Sequence, residues 1–379
     1  MNTVGPKQRL STRLAFLVAG LAMSAWAPLV PYAKARVGLD EAGLGLLLLC
    51  LGGGSLLAMP LTGVLASRFG CRRVVLSSGF LVCLILPGLA FAPTPLSLGV
   101  TLFAFGAAIG TLDVAMNIQA VIVEKASGGA LMSGFHGLFS VGGFAGAGCM
   151  ALLLWIGLSP LASSALLAAV VAAILAGAGP HLLREPDAGE RDAALFVMPH
   201  GAVIVIGALC FIVFLAEGAM LDWSALLLTG SRGLAANWGG LGYASFAVAM
   251  TAGRLSGDRV VRRAGGKRVL LFGGLCAAGG FFVVVLAPSA IAALAGFVLI
   301  GLGASNIVPI LFSAAGRQRV MPASLAIGAI TTLGYAGILA GPALIGFVAH
   351  AASLNLAFAG LGCAMLLVAA SARLGASSH

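Results

Sequence analysis

The chain has 379 residues, 60% of them hydrophobic and only 8% charged, with a formal net charge of +10. A soluble domain carries about 25% charged residues, so this composition excludes an ordinary cytosolic enzyme, a disordered protein and a disulfide-framed secreted module. The main solvent of such a chain is lipid.

Twelve apolar runs follow one another, at 12–32, 42–66, 74–92, 95–123, 132–156, 160–179, 199–222, 236–256, 269–287, 289–315, 323–349 and 352–373. A helix needs about 20 such residues to cross the hydrocarbon core, so these runs predict an all-α integral membrane fold of twelve transmembrane helices. The first run follows Lys7, Arg9 and Arg13 and passes the small residues around Trp26, which imitates a secretory signal. It continues to Tyr32 with many spans behind it, so it reads as a retained first helix. Ala92-Pro93-Thr94-Pro95 and Ala287-Pro288-Ser289 are turns so short that the helices they join must be antiparallel neighbours. The runs lack the period-two alternation of a membrane barrel.

The cations lie in the short gaps between runs, which indicates membrane orientation and anionic lipid headgroups and not nucleic acid. With the N-terminus in the cytoplasm, seventeen Lys and Arg fall inside and only Lys34, Arg36 and Arg232 outside. That bias supports an even number of spans, both termini cytoplasmic, in a bacterial inner membrane. The seven cysteines show no ligand spacing and read as packing residues, so neither a metal nor a cofactor is expected.

The longest polar segment divides the spans six and six: a bundle at 1–180, a cytoplasmic linker at 181–198 and a second bundle at 199–379. The halves resemble one another. Gly63, Ser67, Arg68, Gly70, Arg72 and Arg73 follow span two, and Gly253, Arg254, Gly257, Asp258, Arg259, Arg262 and Arg263 follow span eight. The offset of about 190 residues is half the chain, the parallel-repeat plan of secondary transporters.

At these residues the chain resembles the major facilitator superfamily, whose 2–3 loop carries G-x-x-x-D-(R/K)-x-G-R-(R/K), with a weaker copy in the 8–9 loop. Ser67 replaces the acid of the first copy and Cys71 its first Arg; Asp258 keeps an acid in the second. The resemblance implies two pseudo-symmetric six-helix bundles that rock, with a cytoplasmic latch on Arg254, Asp258 and Arg259 and the cations Arg68, Arg72 and Arg73. Trp26, Pro28 and Pro31, Asp113 to Asn117, Gly134 to Gly137, and Gly341-Pro342 resemble the sugar-permease-like branch that includes fucose permeases. That branch carries an acid in span four and couples sugar uptake to protons.

Of eleven acids, Asp113, Glu217 and Asp222 remain within apolar runs. A carboxylate at mid-bilayer costs about 2.5–3.5 kcal/mol on insertion scales, so such groups face a bundle interior or water. Asp113 and Asn117 share one face of span four and are read as proton carrier and solute anchor, with interhelical glue as the alternative. Glu217 is expected to line the cavity or to hold a neighbouring helix, and Asp222-Trp223 to mark the outer interface. His136 is read as a proton relay or as a packing histidine, Asn306 as a cavity residue beside a kink at Pro309, and Trp26 and Tyr335 as stacking walls. Glycines 142–148 and 334–346 are read as sliding surfaces between the halves, or as static close packing.

The expected function is proton-coupled transport of a small polar solute, a sugar in the terms of the resemblance, by a monomer that is not an enzyme. Efflux of drugs or cations in the same fold and a non-transporting sensor are the alternatives. A C-terminal green fluorescent protein fusion should fluoresce and a C-terminal alkaline phosphatase fusion should be inactive; the reverse pattern breaks the even count.

Overall fold

A computed structural model describes residues 4–39, 41–184, 198–235, 238–286 and 288–373. The described residues form fourteen α-helices and no strands. The first crossing is broken: α1 (Pro6–Ser24), a 3-10 turn (Ala27–Leu29) and α2 (Val30–Val37). Then come α3 (Glu41–Phe69), α4 (Cys71–Phe91), α5 (Pro95–Ser127), α6 (Met132–Trp155) and α7 (Pro160–Ala178). In the second half, α8 (Ala202–Ser231), α9 (Leu241–Ala264) and α10 (Gly266–Leu286) precede another broken crossing, α11 (Ala290–Ala304) with α12 (Ile307–Arg317), and then α13 (Ala323–Ala351) and α14 (Leu354–Ala370). Eleven of these segments are long and apolar enough to cross a membrane. The twelfth, α9, has 24 residues, about 36 Å at 1.5 Å per residue, but carries the charges of the repeated signature. Most of the expected linker, 185–197, lies outside the described residues.

The elements start where the turn chemistry puts them. Thr94, Ser159, Ser289 and Ser353 each cap a helix by accepting an N–H bond three residues on, at 3.2, 3.2, 3.4 and 3.1 Å, which satisfies one orphan donor of the first turn. Helix ends run further than apolar runs do. α9 continues to Ala264, eight residues past the run at 236–256, so Asp258, Arg259 and Arg262 sit on helix and not in a loop. A helix longer than the roughly 30 Å hydrocarbon core keeps its polar turns in the interfacial water.

The chain divides into two compact units. The first comprises Met1–Gly128, Leu138–Met198 and Met321–Ala329; the second comprises Gly129–Gly137, Pro199–Val320 and Ile330–His379. Each unit repeats the packing of the other at a fixed offset. In the first, Gly106 lies so close to the Leu51 carbonyl that a Cβ would overlap it; in the second, 195 positions on, Gly301 lies so against Phe246. Gly142 meets the Leu17 carbonyl, and Gly337 meets that of Phe211. Gly70 and Gly265, again 195 apart, turn the chain at φ 82° and 80°, a region closed to most side chains. The capping pairs Thr94 and Ser289, Ser159 and Ser353 keep the same register.

This offset corrects the alignment of the two signatures by about five residues: Gly63 corresponds to Asp258, not to Gly253. It also decides the role of the glycines. Gly142 and Gly146 meet carbonyls of α1 in their own unit, and Gly334 and Gly337 meet α8 in theirs, so they serve close packing inside each unit and not sliding.

Two of the three cations expected outside, Arg36 and Arg232, are structural. Arg36 donates to the carbonyls of Ala92, Ala90 and Leu89 at 2.9, 2.6 and 2.7 Å, closing the C-terminus of α4. Arg232 donates to Val284 and Val285 at 3.0 and 2.8 Å at the end of α10. A cation there satisfies orphan carbonyls and opposes the negative end of the helix dipole. Gly106→Leu and Gly301→Leu should each lower stability by about 1–3 kcal/mol through overpacking, while Gly148→Leu, with nothing within 4 Å, should be near neutral in a detergent thermal melt.

Candidate functional site

In the first unit, Asn117 is 1% exposed. Its Nδ2 donates to the Asp113 carbonyl at 2.9 Å and to Asp113 Oδ1 at 3.1 Å, the i, i+4 pairing expected on one helix face. Its own Oδ1 is buried with no donor among the described residues. Asp113 is half-buried. Gln119, on another face, donates to Thr12 Oγ1 at 3.3 Å and accepts from the Leu183 N–H at 3.2 Å. Trp26 does not present a wall. It is 6% exposed within the core cluster of Leu29, Leu98 and Phe105, next to the 3-10 turn at Ala27–Leu29.

The second unit holds the principal constellation. Glu217 is the sixteenth residue of the 30 in α8, and Arg254 the fourteenth of the 24 in α9. Both stand near mid-helix. Arg254 Nη2 meets Glu217 Oε1 at 3.2 Å, with side-chain exposures of 8% and 21%. An isolated charge buried in an apolar bundle is costly, and pairing offsets part of that cost.

The broken tenth crossing supports the guanidinium. Pro309 has no N–H, so the carbonyl of Ser305, four residues earlier, lacks its helical donor. Arg254 Nε points at it, 3.4 Å away. Asn306 fills the break between α11 and α12, donating to the Gly253 carbonyl at 3.2 Å and to Ser305 Oγ at 2.9 Å. Gly253 and Gly257 permit this approach, since a Cβ on either would overlap Ser305 or Asn306.

Further along the same face of α9, Asp258 Oδ1 accepts the Gly134 N–H at 3.0 Å, in the first turn of α6, where amides are orphaned and the dipole is positive. One more turn on, Arg262 Nη1 donates to the Ala130 carbonyl at 3.0 Å. The grouping expected around Asp258 is thus divided. Arg254 is directed to Glu217, Asp258 meets a helix end, and Arg259, Arg68 and Arg73 are exposed. Arg72 contributes its backbone N–H to the Leu183 carbonyl at 3.0 Å. His136 is buried edge-on to Phe312, with ring centroids 5.6 Å apart, and Tyr335 stands edge-on to Phe214 at 6.1 Å. Asp222 is exposed.

Arg254 was legible as a member of the signature but not as the partner of Glu217. The available signal was charge balance: an arginine this deep in an apolar helix requires an acid, and Glu217 was the intramembrane acid of that half near mid-helix. Among the described residues no cluster of His, Cys, Asp and Glu is arranged to hold a metal ion.

Residues 14–323 match the family model of the Major Facilitator Superfamily. An uncharacterized MFS-type transporter of Yersinia pestis is 59% identical over 372 residues, covering 97% of this chain and 96% of its own length. Among solved structures, the fucose:proton symporter FucP of E. coli superposes with a TM-score of 0.74 at 16% identity, covering 96% of this chain and 97% of its own. The human organic anion transporter MFSD10 superposes with a TM-score of 0.77 at 17% identity, covering 97% of this chain and 100% of its own. At those identities the likeness shows the fold alone, and the two solutes differ in charge.

Glu217→Gln and Arg254→Gln should each destabilise by about 3–5 kcal/mol, because each leaves the opposite buried charge one partner short. The double variant should lose clearly less than the sum of the two, as read by a double-mutant cycle of thermal unfolding in detergent.

Proposed function

The chain belongs to the Major Facilitator Superfamily, and from that premise we propose that it moves a small polar solute across a bacterial cytoplasmic membrane, driven by protons. Its termini lie in the cytoplasm and it works as a monomer by alternating access. The Arg254–Glu217 pair carries this reading, since an ion pair near the middle of two helices of a membrane transporter has a use beyond holding them together. Glu217 in the second unit and Asp113 in the first exchange protons with water. The half-buried ring of Tyr335 meets the solute, the buried amides of Asn117 and Asn306 position Asp113 and the α11–α12 break behind it, and His136 passes protons between the pair and the cytoplasm. Asp258 and Arg262, bound to the start of α6, form the cytoplasmic latch. The cations of the inner loops rest on anionic lipid.

The single intramembrane acid of span four and the proton-coupled sugar symporter of like fold support proton coupling as the first mechanism to test. In proteoliposomes, an inward pH gradient should raise accumulation of a labelled solute from a panel of monosaccharides and small organic acids. Asp113→Asn and Glu217→Gln should each reduce that stimulation at least tenfold, an effect of about 1.4 kcal/mol or more on the coupled step, while solute exchange without a gradient persists. Accumulation indifferent to the gradient in the wild type removes proton coupling; an absence of flux across the panel removes the transport reading.

A further inference from the structure

Arg254 and Glu217 meet through one nitrogen and one oxygen, Nη2 and Oε1, at 3.2 Å. The guanidinium also donates from Nε, at 3.4 Å, to the Ser305 carbonyl at the α11–α12 break. The acid is the more open partner, 21% exposed against 8%. A fixed guanidinium facing a more accessible carboxylate is a receptor whose first occupant can be exchanged. Its planar fork suits a carboxylate better than any neutral hydroxyl.

Resting on the transport reading above, we propose that the solute carries a carboxylate, that Arg254 is its receptor, and that Glu217 occupies that receptor until a proton and the solute arrive together. A proton from water forms an O–H bond on Glu217, which releases Nη2. The guanidinium is then one anionic acceptor short of the set it folded around, and the solute's carboxylate restores the number. No covalent bond of the solute changes. The site holds one guanidinium and one carboxylate before; it holds one guanidinium, one neutral carboxylic acid and one solute carboxylate after. Its net charge is unchanged, so the uptake of a monocarboxylate with one proton is electroneutral, whereas a neutral sugar entering with a proton moves one charge each turnover.

The titratable groups in electrostatic reach of Glu217 are Cys210 on its own helix and Arg254 and Tyr243 on α9. On α13, Tyr335 stands beside Phe214; His136 on α6 lies within the field of Arg254. None of these neighbours of Glu217 is a second acid able to take its place on the guanidinium through the same helix contact.

Acetate is the probe. In the full-length protein purified in detergent at pH 7.5, Glu217→Gln should be stabilised saturably by sodium acetate, with an apparent affinity at least tenfold tighter than the wild type and beyond what equimolar chloride produces. Glu217→Gln/Arg254→Gln should lose the response. The wild type should acquire it as the pH falls from 7.5 to 5.5, and Arg254→Gln should not, which keeps the question open to measurement should the Glu217→Gln variants purify poorly. An acetate response equal in the single and double variants, none in the single variant, or a pH-independent response in the wild type makes the pair purely structural and overturns the proposal. If gradient-driven flux persists beside such a result, only the carboxylate receptor falls; if flux is absent while acetate binds Arg254, the transport reading falls and the receptor stands.

Discussion

A charge in hydrocarbon is tolerated only where another group compensates it, and this constraint shapes the centre of the second unit. Arg254 sits near mid-helix on α9, one turn before Asp258. Glu217 supplies the opposite charge and Ser305 a carbonyl that Pro309 has left without a donor. The break between α11 and α12, the glycines that let α9 approach it and the acid on α8 are therefore one arrangement and not three separate features. Replacing any part alters how well the guanidinium is held.

The two units repeat scaffold and not chemistry. Close-packing glycines, helix caps, the positive-φ turns and the arginines that close α4 and α10 all recur at an offset of 194 to 196 positions. The polar residues of the candidate site do not. At the same offset, Asp113 and Asn117 correspond to Val308 and Phe312, and Glu217 and Arg254 correspond to Met23 and Met59. Packing is preserved because two backbones at near contact leave little freedom. The side chains facing away from those contacts are free to differ, and there the first unit carries an acid–amide pair and the second an ion pair.

The neighbours in fold are named for different solutes. A fucose:proton symporter and an organic anion transporter superpose on the same backbone, so the architecture is compatible with neutral and charged solutes alike. What separates such proteins is the handful of polar groups that the scaffold holds in the membrane. In this chain the second unit offers a guanidinium held from behind by a carbonyl, a feature that a carbohydrate alone does not require.

Local information in the chain determined the helices and the turns that join them. Apolar runs, Pro and Ser at the turns and the placing of Lys and Arg act within a few residues of one another, so they are readable in order along the chain. The Asp113–Asn117 pair was legible for the same reason, being one helical turn. The partner of Glu217 was not, because it lies 37 positions away on another helix, and the rotation of α8 against α9 is set by packing that no short window contains. The inward turn of Trp26, the role of Arg36 as a cap, and the separation of Arg254 from the helix-end contact of Asp258 were likewise decided by tertiary structure. Each depends on which face of one helix meets which end of another, and only the folded backbone brings those together.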